Sequence, residues 1–244
     1  MLLYLLISIV VLFVVLLLTI LYILHYHGLF DCIEIKNGRS SFDYGERSIV
    51  YKVDCGQYND SSWIFNEICS ILPNSTTFGM YVSFDSLDEK VQQKILSKSV
   101  GKIAYVFMVG AIVSSNRLET NDTSTSNLLQ SRKYRFSSLP PSVDSVCCRF
   151  PFKGVLSVVI ASRRVYSALD EYLKENRLVA YPRIEFYDRD TIHFVLPLEK
   201  QSEFVDLITH NAYCLIFAIF INHSELNRLC QQFGVFFKIS ISNL

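Results

Sequence analysis

The sequence predicts an α+β protein: one N-terminal transmembrane helix followed by a domain of two strand–helix–strand–strand units. Three observations predict it. Residues 2–24 carry no charged side chain. Behind them, runs of β-branched and aromatic residues alternate with stretches whose apolar residues recur at helical spacing. That order occurs twice, on either side of a polar, turn-rich stretch at 114–127.

The first element is "LLYLLISIVVLFVVLLLTILYIL". As a helix it reaches about 34 Å, enough to cross a bilayer core. It lacks the basic leader, short apolar run and small-residue cleavage site of a signal peptide, so an uncleaved anchor over 1–27 is expected. Tyr22, Tyr26, His25 and His27 suit the headgroup level. No Lys or Arg precedes the segment, whereas Lys36, Arg39 and Arg47 follow it. The positive-inside rule then places the rest of the chain in the cytosol. The sequons at Asn59, Asn74, Asn121 and Asn222 are expected to stay unmodified there.

Residues 28–47 read as a linker, and 48–204 as the folded domain. "SIVYKV" (48–53) has strand character. In "DSSWIFNEICSIL" (60–72), Ile64, Phe65, Ile68, Ile71 and Leu72 make one helix face, with Asp60, Ser61 or Ser62 as cap and Pro73 as stop. "TTFGMYVSF" (76–84) reads as a strand, 86–96 as a short helix and 102–113 as a buried strand. In the second half "GVLSVVIAS" (154–162) reads as an apolar strand. Residues 163–178 read as a helix with Val165, Ala168, Leu169, Tyr172 and Leu173 inward. Arg163 and Arg164 then sit at its start, against the favourable dipole sign. "YPRIEFYD" and "TIHFVLPL" form a strand pair turning at 188–190. Two such units side by side share one sheet, with a cleft where they meet.

Zero net charge gives no global field for nucleic acid, and none is expected as a direct partner. The small basic run "SRKYRF" (131–136) reads as a solvated face. Seven cysteines without a CxxC pair read as reduced, mostly buried thiols. Cys147 and Cys148 are adjacent and make a poor metal site. No P-loop, dinucleotide glycine pattern, metal-ligand spacing or nucleophile elbow occurs, so no enzyme, cofactor, metal or catalytic residue is expected. Glu185 stands among aromatics in "YPRIEFYD". It is either a carboxylate facing the cleft or a solvated strand residue paired with an Arg. Tyr58, Tyr81 and Tyr181 are the aromatics expected near that cleft. His193 reads as a satisfied strand residue.

The segments "YKVDCGQYNDSSWIFNEICSI" (51–71) and 137–198, with the run "LSVVIASRRVYSALDEYLKENRLVAYPRIEFYDRDTIHFVLPL", resemble the testis-expressed ER-phagy receptor family. The resemblance implies an N-terminal anchor in the endoplasmic reticulum (ER) membrane and a cytosolic gyrase-inhibitor-like domain. It implies an adaptor that binds ubiquitin-like autophagy modifiers, a link to the p97 ATPase in repair of DNA–protein crosslinks, and a cleft that in bacterial relatives takes small, often cationic, ligands. The family's modifier and p97 motifs lie in an acidic tail. Residues 205–244 are apolar instead and read as a divergent or truncated ending. Within this chain "EFVDL", with Phe204 and Leu207 as anchors, is the best match to a modifier-binding segment, which acts by adding a strand to its partner's sheet.

Overall fold

A computed structural model describes residues 1–39, 42–96, 102–113, 123–141 and 143–209. The chain runs α1 (Leu2–Tyr26), β1 (Lys36–Arg39), β2 (Ser48–Gly56), a 3-10 turn (Tyr58–Ser61), α2 (Ser62–Ile71) and β3 (Thr77–Ser83). There follow α3 (Glu89–Leu96), β4 (Tyr105–Ile112), α4 (Thr123–Ser131), β5 (Arg135–Ser138), β6 (Asp144–Pro151), α5 (Val155–Glu175), β7 (Arg183–Asp188) and β8 (Thr191–Pro197). A last helix, α6, covers 201–209.

The fold is α+β, and its strands make one antiparallel sheet in the order β1-β6-β8-β7-β3-β4-β2-β5. The two predicted units are β2-α2-β3-β4 and β6-α5-β7-β8. Each puts its third strand in the middle, and they join along β3 and β7 through pairs such as Gly79 with Glu185. The sheet is thus symmetric about that seam, and β1 and β5 extend its two ends.

Alternation along the strands sorts the core into two faces. One face carries both long domain helices. Ile64 and Ile68 of α2 pack with Val50, Tyr81, Phe107 and Val109. Ile160, Val165 and Leu169 of α5 pack with Val146, Cys148, Phe150 and Phe194. The other face holds Phe78, Met80, Met108, Ile184 and Phe186, covered by Ile95 of α3, Tyr44, and Phe204 and Ile208 of α6.

The structure corrects several expectations. Residues 154–162 are the first turns of α5, and the strand that opens the second unit is β6. Burial in this helix falls on Ser157, Ile160, Ala161, Val165, Tyr166 and Leu169, a helical spacing, while Val155 and Val159 point outward. Arg163 and Arg164 are consequently mid-helix rather than at a start. Part of the polar stretch expected as loop is α4. The expected linker packs against the domain: Lys36–Arg39 pair with β6, and Tyr44 is fully buried. Of the cysteines described, Cys148 is buried, Cys55 and Cys147 are half-buried, and Cys32 and Cys69 are exposed; all five are free thiols. Cys214, Cys230 and most of 205–244 lie outside the described residues.

The apolar helix α1 buries none of its residues and is long enough, at about 37 Å, to cross a membrane. Its base is fixed to the domain. Leu24 and Leu29 pack against the core beneath α5. His27 Nδ1 lies 3.1 Å from Ser157 Oγ. The Arg164 guanidinium donates to the carbonyls of Gly28 (2.8 Å) and Asp31 (2.9 Å). Gly28 has φ +88°, and a Cβ there would come within 2.7 Å of Pro151 Cγ. Only glycine permits this close junction.

Candidate functional site: a tyrosine cleft over a buried carboxylate

The seam between the units sets the site. Glu185 on β7 faces the helix-bearing side of the sheet, between Gly79 of β3 and Phe194 of β8. Tyr187 follows two residues later on the same face. The 3-10 turn before α2 brings Tyr58 over Tyr81, with ring centroids 4.9 Å apart. That turn is tied by the Gln57 amide donating to Asp60 Oδ2 at 2.7 Å. From the other side α5 lowers Tyr166. Gly79 leaves the space that the Tyr81 hydroxyl and the Phe65 ring use, because a Cβ there would sit within 3 Å of both.

Glu185 is fully buried. Tyr58 donates to its two carboxyl oxygens at 3.0 and 3.1 Å. Tyr187 donates to Oε2 at 2.7 Å, and Tyr166 donates to Oε1 in a short contact. Ser61 Oγ donates to the Tyr58 carbonyl at 2.8 Å, which leaves the Tyr81 hydroxyl to donate to Ser61 at 3.1 Å. Burial pushes the Glu185 carboxyl above the usual carboxylate range; the hydroxyls of Tyr166, Tyr187 and Tyr58 and the charge of Arg183 pull it part of the way back. The phenols respond in the opposite sense to a negative neighbour. Burial first, and the Glu185 charge second, raise Tyr58, Tyr81, Tyr166 and Tyr187. They therefore stay protonated donors, not bases or nucleophiles.

Above this layer lies a cavity of about 220 Å³ lined by Tyr58, Tyr81, Tyr105, Ser162, Tyr166 and Arg183. The Arg183 guanidinium sits 4.7 Å from the Tyr166 ring centroid and bonds Asp170 Oδ1 at 2.7 Å. The chain thus supplies its own cation to the aromatic wall. A larger concavity of about 850 Å³, lined by Glu46, Tyr51, Phe136, Pro140, Pro141 and α6, lies on the other side of the sheet. It lacks the converging buried polar groups of the cleft.

Of the residues predicted for the cleft, Tyr58 and Tyr81 line it. Glu185 is on the cleft side but sealed beneath hydroxyls, so it is neither a solvated strand residue nor an open cleft wall. Tyr181 is exposed and lies outside the cleft, its amide donating to the Pro197 carbonyl at 3.2 Å. Tyr105, Tyr166, Tyr187 and Arg183 were missed. Tyr187 was legible as the next same-face residue after Glu185. Tyr166 was hidden because its helix was started too late. Phe204 is fully buried in a helix against Tyr44, so "EFVDL" presents neither an extended strand nor a free aromatic. This corrects its reading as a modifier-binding segment, since strand addition needs both. His193 stacks near Phe42 at 4.9 Å, as a satisfied strand residue should. The run at 131–136 is largely the solvated face expected of it, with Arg132 and Lys133 exposed; Arg132 pairs with Glu67 at 3.2 Å, and Tyr134 alone is buried, under the Lys52 ammonium.

The fold and site define a class: an α+β sheet domain with a tyrosine-lined cleft, carried on a helix long and apolar enough to span a membrane. No family model matches the sequence. Testis-expressed protein 264 of Homo sapiens is 34% identical over 189 residues, 78% of this chain and 56% of that protein. The Testis-expressed protein 264 homolog of Mus musculus is 33% identical over 157 residues, 64% of this chain and 47% of that protein. The chain belongs to the testis-expressed protein 264 family. It spans about half the length of the curated relatives it matches.

Proposed function

We propose that the chain is a single-pass ER-membrane protein acting without catalysis, as an adaptor in selective autophagy of the ER. Its domain is the cytosolic body, ubiquitin-like autophagy modifiers are its partners, and the p97 ATPase is a second partner at the nuclear envelope. The observation that carries this reading is the welded junction of α1 to the sheet domain through Leu24, His27, Gly28 and Arg164. A domain held rigidly at a membrane surface suits a protein that marks the membrane for a partner. The family resemblance supplies the kind of partner. In cells under starvation, the tagged full chain is expected to co-localise with ER, to be captured by ubiquitin-like autophagy modifiers and to reach lysosomes. Residence in another membrane, or an ER pool that neither binds modifiers nor turns over, overturns the reading.

A second reading rests on the cleft: a small cationic ligand stacked on Tyr58 and Tyr166 above the Glu185 charge. The volume suits a compact ligand, below the usual drug-sized range. In this reading Arg183 competes for the same ring face. Benzyltrimethylammonium is expected to raise the melting temperature of Arg183→Ala more than that of the parent, and that of Glu185→Gln least. The absence of a saturable shift in both the parent and Arg183→Ala removes this reading.

A further inference from the structure

A second recess lies on the face of the sheet away from α5. Exposure alternates along the segment that leads into β1. Ile33 and Ile35 pack into the core beneath α5, so Cys32, Glu34 and Lys36 turn to the opposite side. Val146, Cys148 and Phe150 of β6 face α5 too, as do Ile192 and Phe194 of β8. Alternation therefore puts Cys147, Arg149 and His193 with Lys36 on the opposite face. Lys36 pairs with Cys147 across β1 and β6, and Arg149 with His193 across β6 and β8. These residues line a cavity of about 310 Å³, to which Gly38 and Arg39 also contribute.

We propose that this recess binds a phosphomonoester anion, with the Arg149 guanidinium and the Lys36 ammonium as cationic partners and the His193 imidazole as a neutral donor. Lys36, Arg39 and Arg149 outnumber Glu34, the one carboxylate in the lining among the described residues. Glu34 meets Lys36 at 3.9 Å with both side chains about three-quarters exposed, a weak pair that leaves the ammonium available to a stronger anion. A guanidinium fork matches two phosphate oxygens, and an ammonium adds a point charge. Burial, and then the Arg149 charge, lower His193 against a smaller opposing pull from Asp188. The imidazole is thus uncharged at neutral pH and offers one ring N–H. Gly38 lines the recess at φ +134°, and a Cβ there would meet no atom within 4 Å. The bare backbone keeps open an approach that a side chain would narrow. The volume exceeds that of a bare phosphate and leaves room for the group that carries it. Pro151, beside Gly28 at the base of α1, is two residues along β6 from Arg149. The phosphomonoester therefore has two sources, solution and a lipid headgroup, which the experiment separates.

The test reads two thiols of the full chain. Cys32 lines the recess and Cys69, on α2, does not; both are exposed and free. Their rates of alkylation by N-ethylmaleimide are followed by peptide mass spectrometry at fixed ionic strength. Glycerol phosphate is the soluble probe, with the chain in dodecylmaltoside micelles. Phosphatidic acid, whose headgroup is also a phosphomonoester, is the lipid probe, in nanodiscs compared with phosphatidylcholine alone. Saturable slowing of Cys32, with Cys69 unchanged, is expected with at least one probe. Protection by phosphatidic acid alone assigns the phosphate to a lipid, and protection by glycerol phosphate assigns it to solution. Arg149→Gln and Lys36→Gln, both at exposed positions, are each expected to raise the half-saturating concentration about tenfold. Lys174→Gln, in the last turn of α5, should leave it unchanged. Slowing by neither probe, equal slowing of Cys69, or protection that survives both substitutions overturns the proposal.

Discussion

Glu185 sits where desolvation and three phenols pull its proton in opposite directions. Desolvation wins, so the folded chain holds the proton to higher pH than the unfolded chain, whose carboxyl titrates near 4.5. The unfolded state then binds fewer protons above that value, and stability falls as pH rises. The contribution is full below about 4.5 and is lost as pH climbs through the raised folded pKa. His193 works in the opposite sense: burial lowers it, so its contribution is present above 6.5 and is lost as pH falls. Comparing Glu185→Gln with the parent cancels the histidine. The parent's melting temperature is expected to decline from pH 4.5 towards neutrality more steeply than that of Glu185→Gln. Parallel curves would show that Glu185 is not held in this way. Tyr166→Phe deletes a donor to Glu185 and is expected to cost about 1.5–3 kcal/mol by chemical denaturation. A cost near zero sinks the account of that hydrogen bond. From sequence, the acidic residue and its aromatic company could be picked out. Its side of the sheet could not, because strand alternation gives two faces without saying which one the helices cover.

At the scale of elements, periodicity located most of the fold: α1, α2 and the strands β2, β3, β4, β7 and β8 fall where their patterns put them. The second unit was misread for a physical reason. Val155, Val158, Val159 and Ile160 are β-branched, and only a helical placement shows that Val155 and Val159 are outside while Ile160 is inside. β6 escaped notice because its face alternates around Arg149 and a cysteine pair rather than around large aliphatics. Helix α6 shows tertiary context overriding a short motif. Phe204 fills the face opposite the cleft, beside Tyr44 and Ile208. Phe204→Ala is expected to cost about 3–5 kcal/mol, as other fully buried aromatics do. Equilibrium denaturation decides it: a loss below about 1 kcal/mol would return Phe204 to the list of surface anchors.

The whole molecule has a handedness that chemistry can read. If α1 spans and its basic flank stays in the cytosol, every described part of the domain lies on that side, because the junction leaves no slack between helix and sheet. Arg164, on the Gly28 and Asp31 carbonyls, adds charge at the helix base that the linear count of Lys36, Arg39 and Arg47 omits, and anionic lipid on the cytosolic leaflet favours it. Asn59 and Asn74 are exposed, the first in the turn before α2 and the second after its end, with φ +65°. Neither side chain is shielded, so an enzyme in the lumen would reach both. The expected result is a full chain in ER membranes whose gel mobility does not change on endoglycosidase treatment. A version carrying a cleavable signal peptide in place of α1 should gain endoglycosidase-sensitive mass at these same asparagines, which shows that the sites are competent. A sensitive shift in the unaltered chain would turn the domain to the lumen. Modifiers in the cytosol would then be out of its reach, whereas the cleft, which depends on the seam between β3 and β7, would stand.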